Sequence, residues 1–216
     1  MKMFNKMPTH IYIDDRKYFI NSDYRLMIEF EEKMQETESL SNEEKTQVVF
    51  SSLYNFCPAF FKEKEYKTEK LLKLQDEFLK FYKCGRENYH KGRATSRGIS
   101  NVQAYSYEYD DEYIFGAFYD QYGIDLSSIK YLHWWKFKAL FKALKDDCKF
   151  EQIVSYRSYI GKDEDRKRLR DYWKLPIDSK EQQELENLAN ELMKYNKKWG
   201  EINGSSRKFD LWYINK

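Results

Sequence analysis

Apolar positions first alternate along the chain and then recur at helical spacing. Ile11, Ile13, Tyr18 and Ile20 share one face of a two-stranded ribbon if Asp15-Arg16 forms the two-residue turn. Two strands alone are marginal, so this ribbon must lie on something else. From there the period becomes that of helices. Leu26 or Met27, then Phe30 and Met34, follow a cap at Asn21, Ser22 or Asp23. Ser41 with Glu44 makes a capping box for a second helix, whose stripe is Val49, Leu53 and Phe56 and whose stop is Pro58. Leu71, Leu74 or Gln75, Phe78 and Phe81 or Tyr82 line a third helix that closes at Gly85.

The second half continues in the same manner. Asp110 or Asp111 caps a helix carrying Ile114, Ala117, Phe118 and Gln121, closed by Gly123. Ser127 or Ser128 caps the next, with Trp134, Phe137, Phe141 and Leu144 on one stripe and His133 and Leu140 widening it. Cys148, Ile153, Tyr156 and Ile160 give a further helix ended by Gly161. Residues 162–170 alternate in charge and read as solvated, with Leu169, Tyr172, Trp173 and Leu175 supplying apolar contacts. A last helix starts near Ser179 and carries Leu185, Leu188 or Ala189, Leu192 and Trp199. The fold class is therefore mainly α, a multi-helix domain with an N-terminal two-stranded β-hairpin. It divides into a hairpin and helical lobe (1–85), a basic loop or hinge (86–106), an aromatic-rich helical lobe (107–177), and a C-terminal helix with a docking tail (178–216).

Composition narrows the classes. Of 216 residues 34% are charged, 41% hydrophobic and 18% aromatic, which excludes a wholly disordered chain. No window approaches the roughly 18 apolar residues of a membrane span. The three cysteines, Cys57, Cys84 and Cys148, have no short spacing and fit small buried hydrophobes in a reducing compartment. The net charge of +2 conceals segregation. Residues 80–97 hold six basic side chains against one acidic, whereas residues 21–44 hold eight acidic against two basic. Arg86, Lys91, Arg93 and Arg97 are thus candidate contacts for an acidic protein surface. With Tyr89 they are also the sole nucleic-acid candidate, which near-neutral overall charge argues against.

Little in the sequence carries chemistry. His10, His90 and His133 are far apart and none opens a zinc motif, and no phosphate-binding glycine loop occurs. Cys84 stands beside Lys83 and Arg86, which would activate an exposed thiol; a thiol packed inward would be inert. A non-enzyme without metal or cofactor is expected. Trp134 and Trp135 diverge by about 100° on a helix, so one can be internal while the other meets a partner. Phe209, Leu211, Trp212 and Ile214 form an aromatic end able to dock in cis or on a partner, with Trp212 the anchor.

One series of residues carries a resemblance. Tyr105-Ser106-Tyr107-Glu108, Asp110-Asp111-Glu112-Tyr113-Ile114 and Ala117-Phe118 open it. Tyr122-Gly123-Ile124-Asp125-Leu126, Leu132-His133-Trp134-Trp135-Lys136-Phe137, Ala139-Leu140-Phe141 and Tyr156-Arg157 continue it. Tyr24-Arg25 and the Phe81-Tyr82-x-x-Gly85 helix end also fit. Together these resemble the bacteriophage family named for the fifteenth gene product of Gram-positive siphophages, over about residues 7–177. Asp15-Arg16 stands where that family often has an Asp-Gly turn, which leaves the turn geometry open.

The resemblance implies a tail assembly chaperone. Such a protein would keep the tape measure protein soluble while tail tube subunits assemble around it, and would then leave the particle. The implied partners are the tape measure protein and the tail tube protein, with a homo-oligomer also open. The implied place is the cytoplasm of the host bacterium, not the mature virion. The alternatives are a structural neck, tail or baseplate protein, and a host-directed regulator that binds protein or nucleic acid. The resemblance assigns no catalytic residue.

Overall fold

The computed structural model describes residues 7–35, 41–63, 67–86, 104–176 and residue 193. The chain forms two compact units, Met1–Leu175 and Pro176–Lys216. The described residues of the first comprise an antiparallel hairpin and seven α-helices. In the second, only Pro176 and Met193 are described, Met193 being an exposed helical residue.

The hairpin pairs β1 (His10–Ile13) with β2 (Arg16–Phe19), Ile11 facing Tyr18 and Ile13 facing Arg16. The turn is therefore Asp14-Asp15, one residue earlier than the sequence reading. Both turn residues are left-handed, with φ of 48° and 63°, the requirement of a type I′ turn. The pairing shifts by two residues, which preserves the face, so Ile11, Ile13, Tyr18 and Ile20 are all buried.

Helix α1 (Tyr24–Gln35) starts where the Asp23 carboxylate accepts from the backbone N–H of Arg25 at 3.0 Å. Its buried residues include Leu26, Met27 and Phe30, while Met34 faces outward, contrary to expectation. Helix α2 (Asn42–Phe56) begins with the expected reciprocal capping box of Ser41 and Glu44. A single 3-10 turn, Phe60–Lys62, leads towards α3 (Thr68–Tyr82), which buries Leu74, Phe78 and Phe81. Helix α4 (Asp111–Tyr122) buries Ile114, Ala117 and Phe118 and ends at a left-handed Gly123.

Helix α5 (Trp134–Phe141) differs from expectation at its start. Its cap is His133, whose imidazole accepts from the Trp135 N–H at 3.0 Å. Ser127 and Ser128 instead give their N–H groups to the Asp125 carboxylate, forming a turn before the helix. Helix α6 (Lys149–Arg157) buries Phe150, Ile153 and Arg157, and Ile160 lies beyond it on the surface. Helix α7 (Glu164–Tyr172) buries none of its residues, in keeping with its alternating charges.

One continuous core draws on both halves of the sequence, from Ile11 in the hairpin to Phe150 in α6. Aromatic stacking links them: Tyr24 lies on Phe137 with ring centres 4.8 Å apart, and Phe137 on Phe118 at 5.2 Å. The starts of α1 and α5 are also pinned by backbone bonds, Tyr24 N–H to Leu132 O and Trp134 N–H to Ser22 O.

Candidate protein-binding surface

Trp134 and Trp135 act first on α3. The last carbonyls of a helix have no partner within it. The Trp134 indole donates to Tyr82 O at 2.9 Å, and the Trp135 indole to Phe81 O at 2.8 Å. Adjacent residues thereby satisfy adjacent carbonyls. Trp134 is fully buried and Trp135 is half-buried, its ring beside Gly85. Gly85 has a φ of +67°, and a Cβ there would stand 3.2 Å from the Trp135 ring.

The half-buried Trp135 shares a small cleft of ≈ 50 Å³ with Arg86, Lys83 and Lys142. Two residues singled out by sequence, Trp135 and Arg86, are therefore brought together. Cys84 lines the same cleft; burial pushes its thiol up, and the charges of Lys138, Lys142 and Arg86 offset this only in part. That thiol is packed, not activated. Lys91, Arg93 and Arg97, like Phe209, Leu211, Trp212 and Ile214, lie outside the described residues.

A polar cluster sits behind the tryptophans. Glu31, on α1, is buried and accepts from Lys138 at 2.6 Å and from the Tyr82 hydroxyl at 2.8 Å. Lys138 also lies over the Trp134 ring, 4.7 Å from its centre. The buried Tyr107 hydroxyl has no hydrogen-bond partner among the described residues. Burial, and next the charge of Glu31, pushes its ionisation up.

The larger opening was not legible from sequence. It is a groove of ≈ 520 Å³ whose wall joins Tyr24, Ile28 and Glu32 of α1 to Asp111, Glu112 and Phe115 of α4. Tyr107, Leu126 and Phe137 complete its apolar part. Phe115 stacks on Tyr119 one turn further along α4, ring centres 6.1 Å apart, and both are exposed. The groove joins α1 to residues of α4 that lie about 80 positions further along the chain, which helical periodicity does not pair.

Among the described residues, no three His, Cys, Asp or Glu side chains gather in a way that would hold a metal ion. No helix there is long and apolar enough to cross a membrane. A family model described as Bacteriophage Gp15 protein matches residues 3–185, most of the chain. No curated protein and no solved structure shows a match.

Proposed function

This chain belongs to the Bacteriophage Gp15 protein family, and on that footing we propose that it is a non-enzymatic tail assembly chaperone. It binds the tape measure protein in the cytoplasm of the host bacterium, supports assembly of the tail tube, and leaves before the virion matures. The observation that carries this reading is the apolar groove between α1 and α4 with the exposed Phe115–Tyr119 stack beside it. Grooves of this kind accept the apolar stripe of an amphipathic helix. A long helical client, held before its tube closes around it, is a ligand of that type.

The test is co-expression with the tape measure protein encoded by the same phage, followed by affinity capture and mass spectrometry of purified virions. The chaperone reading expects the tape measure protein in the captured complex and this chain absent from virions. A chain that fails to hold the tape measure protein overturns it.

A second reading rests on the family itself, which suggests a structural or head–tail connector type of phage protein. On this reading the same groove seats a neighbouring subunit of the neck, tail or baseplate. Its signature is this chain present in virions in a fixed ratio to the other structural proteins.

A further inference from the structure

We infer that the open edge of β1 pairs antiparallel with β1 of a second copy of the chain, about a two-fold axis, giving one sheet in the order β2–β1–β1–β2. This contact joins copies of the chain and is independent of the client proposed above. Its basis is where the backbone groups of the hairpin point. Bonded pairs alternate along an antiparallel ribbon, and Ile20 N–H bonds to Thr9 O at 3.1 Å. The register sets Ile11 opposite Tyr18 and Ile13 opposite Arg16, so these residues bond within the hairpin. His10 and Tyr12 therefore turn their N–H and C=O groups away from β2. Among the described residues no other backbone group bonds to them. Tyr12 is 58% exposed, which leaves this edge uncovered.

The two edges of the hairpin differ. On β2 stand Arg16 and Lys17; Arg16 is bonded to Glu63 at 2.6 Å, and the Phe19 carbonyl accepts from the Cys57 thiol. Edge cations and covering groups block strand addition. The β1 strand, His10-Ile11-Tyr12-Ile13, carries no lysine, arginine or carboxylate. Two β2 edges brought together would set like charges side by side, whereas two β1 edges would not. The ends of β1 fix the register. Pro8 has no N–H and its carbonyl is bonded to His133, and Asp14 leaves the strand in the left-handed turn. With His10 opposite Tyr12 of the second copy, the outward groups of both residues are all bonded across the two-fold axis. The His10 and Tyr12 rings then meet across the axis on the exposed face, as they already meet edge-on within one chain at 5.3 Å.

The test uses the full chain, followed by sedimentation velocity from about 1 to about 500 μM, a range suited to a short and transient contact. The chain should dimerise as concentration rises. Tyr12→Lys, which places a lysine on the open edge, should weaken dimerisation at least about tenfold. His10→Glu/Tyr12→Lys should restore it, because the register sets each glutamate opposite a lysine of the other copy. Circular dichroism confirms that the variants fold. Hydrogen exchange on the native chain needs no variant: the His10 and Tyr12 amides should exchange more slowly at high concentration than at low. A chain that stays monomeric throughout overturns the pairing. So does a dimer that Tyr12→Lys leaves intact, or a loss that the double variant does not restore. Amides of His10 and Tyr12 that exchange at the same rate at every concentration overturn it without recourse to a variant. If those amides are slowed only when the tape measure protein is bound, the edge belongs to a client strand and the pairing of copies fails while the chaperone reading stands.

Discussion

Asp110 receives both terminal nitrogens of Arg157, at 2.6 and 2.9 Å, and the carboxylate is wholly removed from solvent. The sequence suggests Asp110 as a helix cap; in the fold its side chain turns inward and accepts from Arg157 and from the Ser106 N–H. Arg157 also donates to Trp173 O and Ala104 O, so one guanidinium joins α6, the end of α7 and the chain entering α4. Removing one partner of a buried pair leaves the other charge stranded and costs about 3–5 kcal/mol. Arg157→Met should therefore lower the urea midpoint sharply, and Asp110→Leu/Arg157→Met should lose less than the two single variants together. Additive losses would show that the pair is not coupled.

The glycines at two helix ends give a matched comparison. Gly123 and Gly85 have nearly the same left-handed φ, +63° and +67°. A Cβ at Gly123 meets nothing within 4 Å, so Gly123→Ala should cost only the backbone term, about 1–2 kcal/mol. At Gly85 the Cβ presses on the Trp135 ring, and that ring is held by its bond to Phe81 O. Gly85→Ala should lose more stability than Gly123→Ala in paired denaturant titrations. Equal losses would mean that the indole yields freely.

The hairpin turn offers a gain. Asp15 holds a φ of 63° in a turn whose second position favours glycine. Asp15→Gly keeps Asp14, which pairs with Lys73, and relieves the left-handed strain. We expect a rise in stability of about 0.5–1 kcal/mol, reduced by the greater freedom of glycine in the unfolded chain. A loss on thermal melting would show that the Asp15 side chain contributes more than its backbone costs.

These contrasts mark what sequence can carry. The buried face of the hairpin is legible because it depends only on parity; the turn is not, because Asp14-Asp15 and Asp15-Arg16 keep the same parity. Helix stripes are legible wherever apolar residues recur at 3.6, as in α3 and α4. The start of α5 is hidden because histidine is not among the usual caps, while Ser127 and Ser128 are. The partners of Trp134 and Trp135 lie more than 50 residues away, and the α1–α4 groove joins segments still further apart. Such pairings are products of tertiary packing and leave no local signal.

His133 makes stability depend on pH. Its Nδ1 accepts from the Trp135 N–H and must be unprotonated to do so, while Nε2 lies 3.0 Å from Pro8 O and donates to it. Burial is the main cause that holds its pKa below the usual histidine value, and the bond to Pro8 opposes this in part. The folded state therefore binds a proton less readily than the unfolded chain. The stabilising effect is complete above the unfolded pKa of about 6.5 and is lost as pH falls from there through the lowered folded value. Melting temperatures should hold steady from about pH 8 to 7 and decline towards pH 5. Asn is a strong cap that does not titrate, so His133→Asn should keep α5 capped and flatten that part of the profile. The decline would then remain only where carboxylates titrate. If the variant falls with pH as steeply as the native chain over the histidine range, protonation of His133 is not its cause.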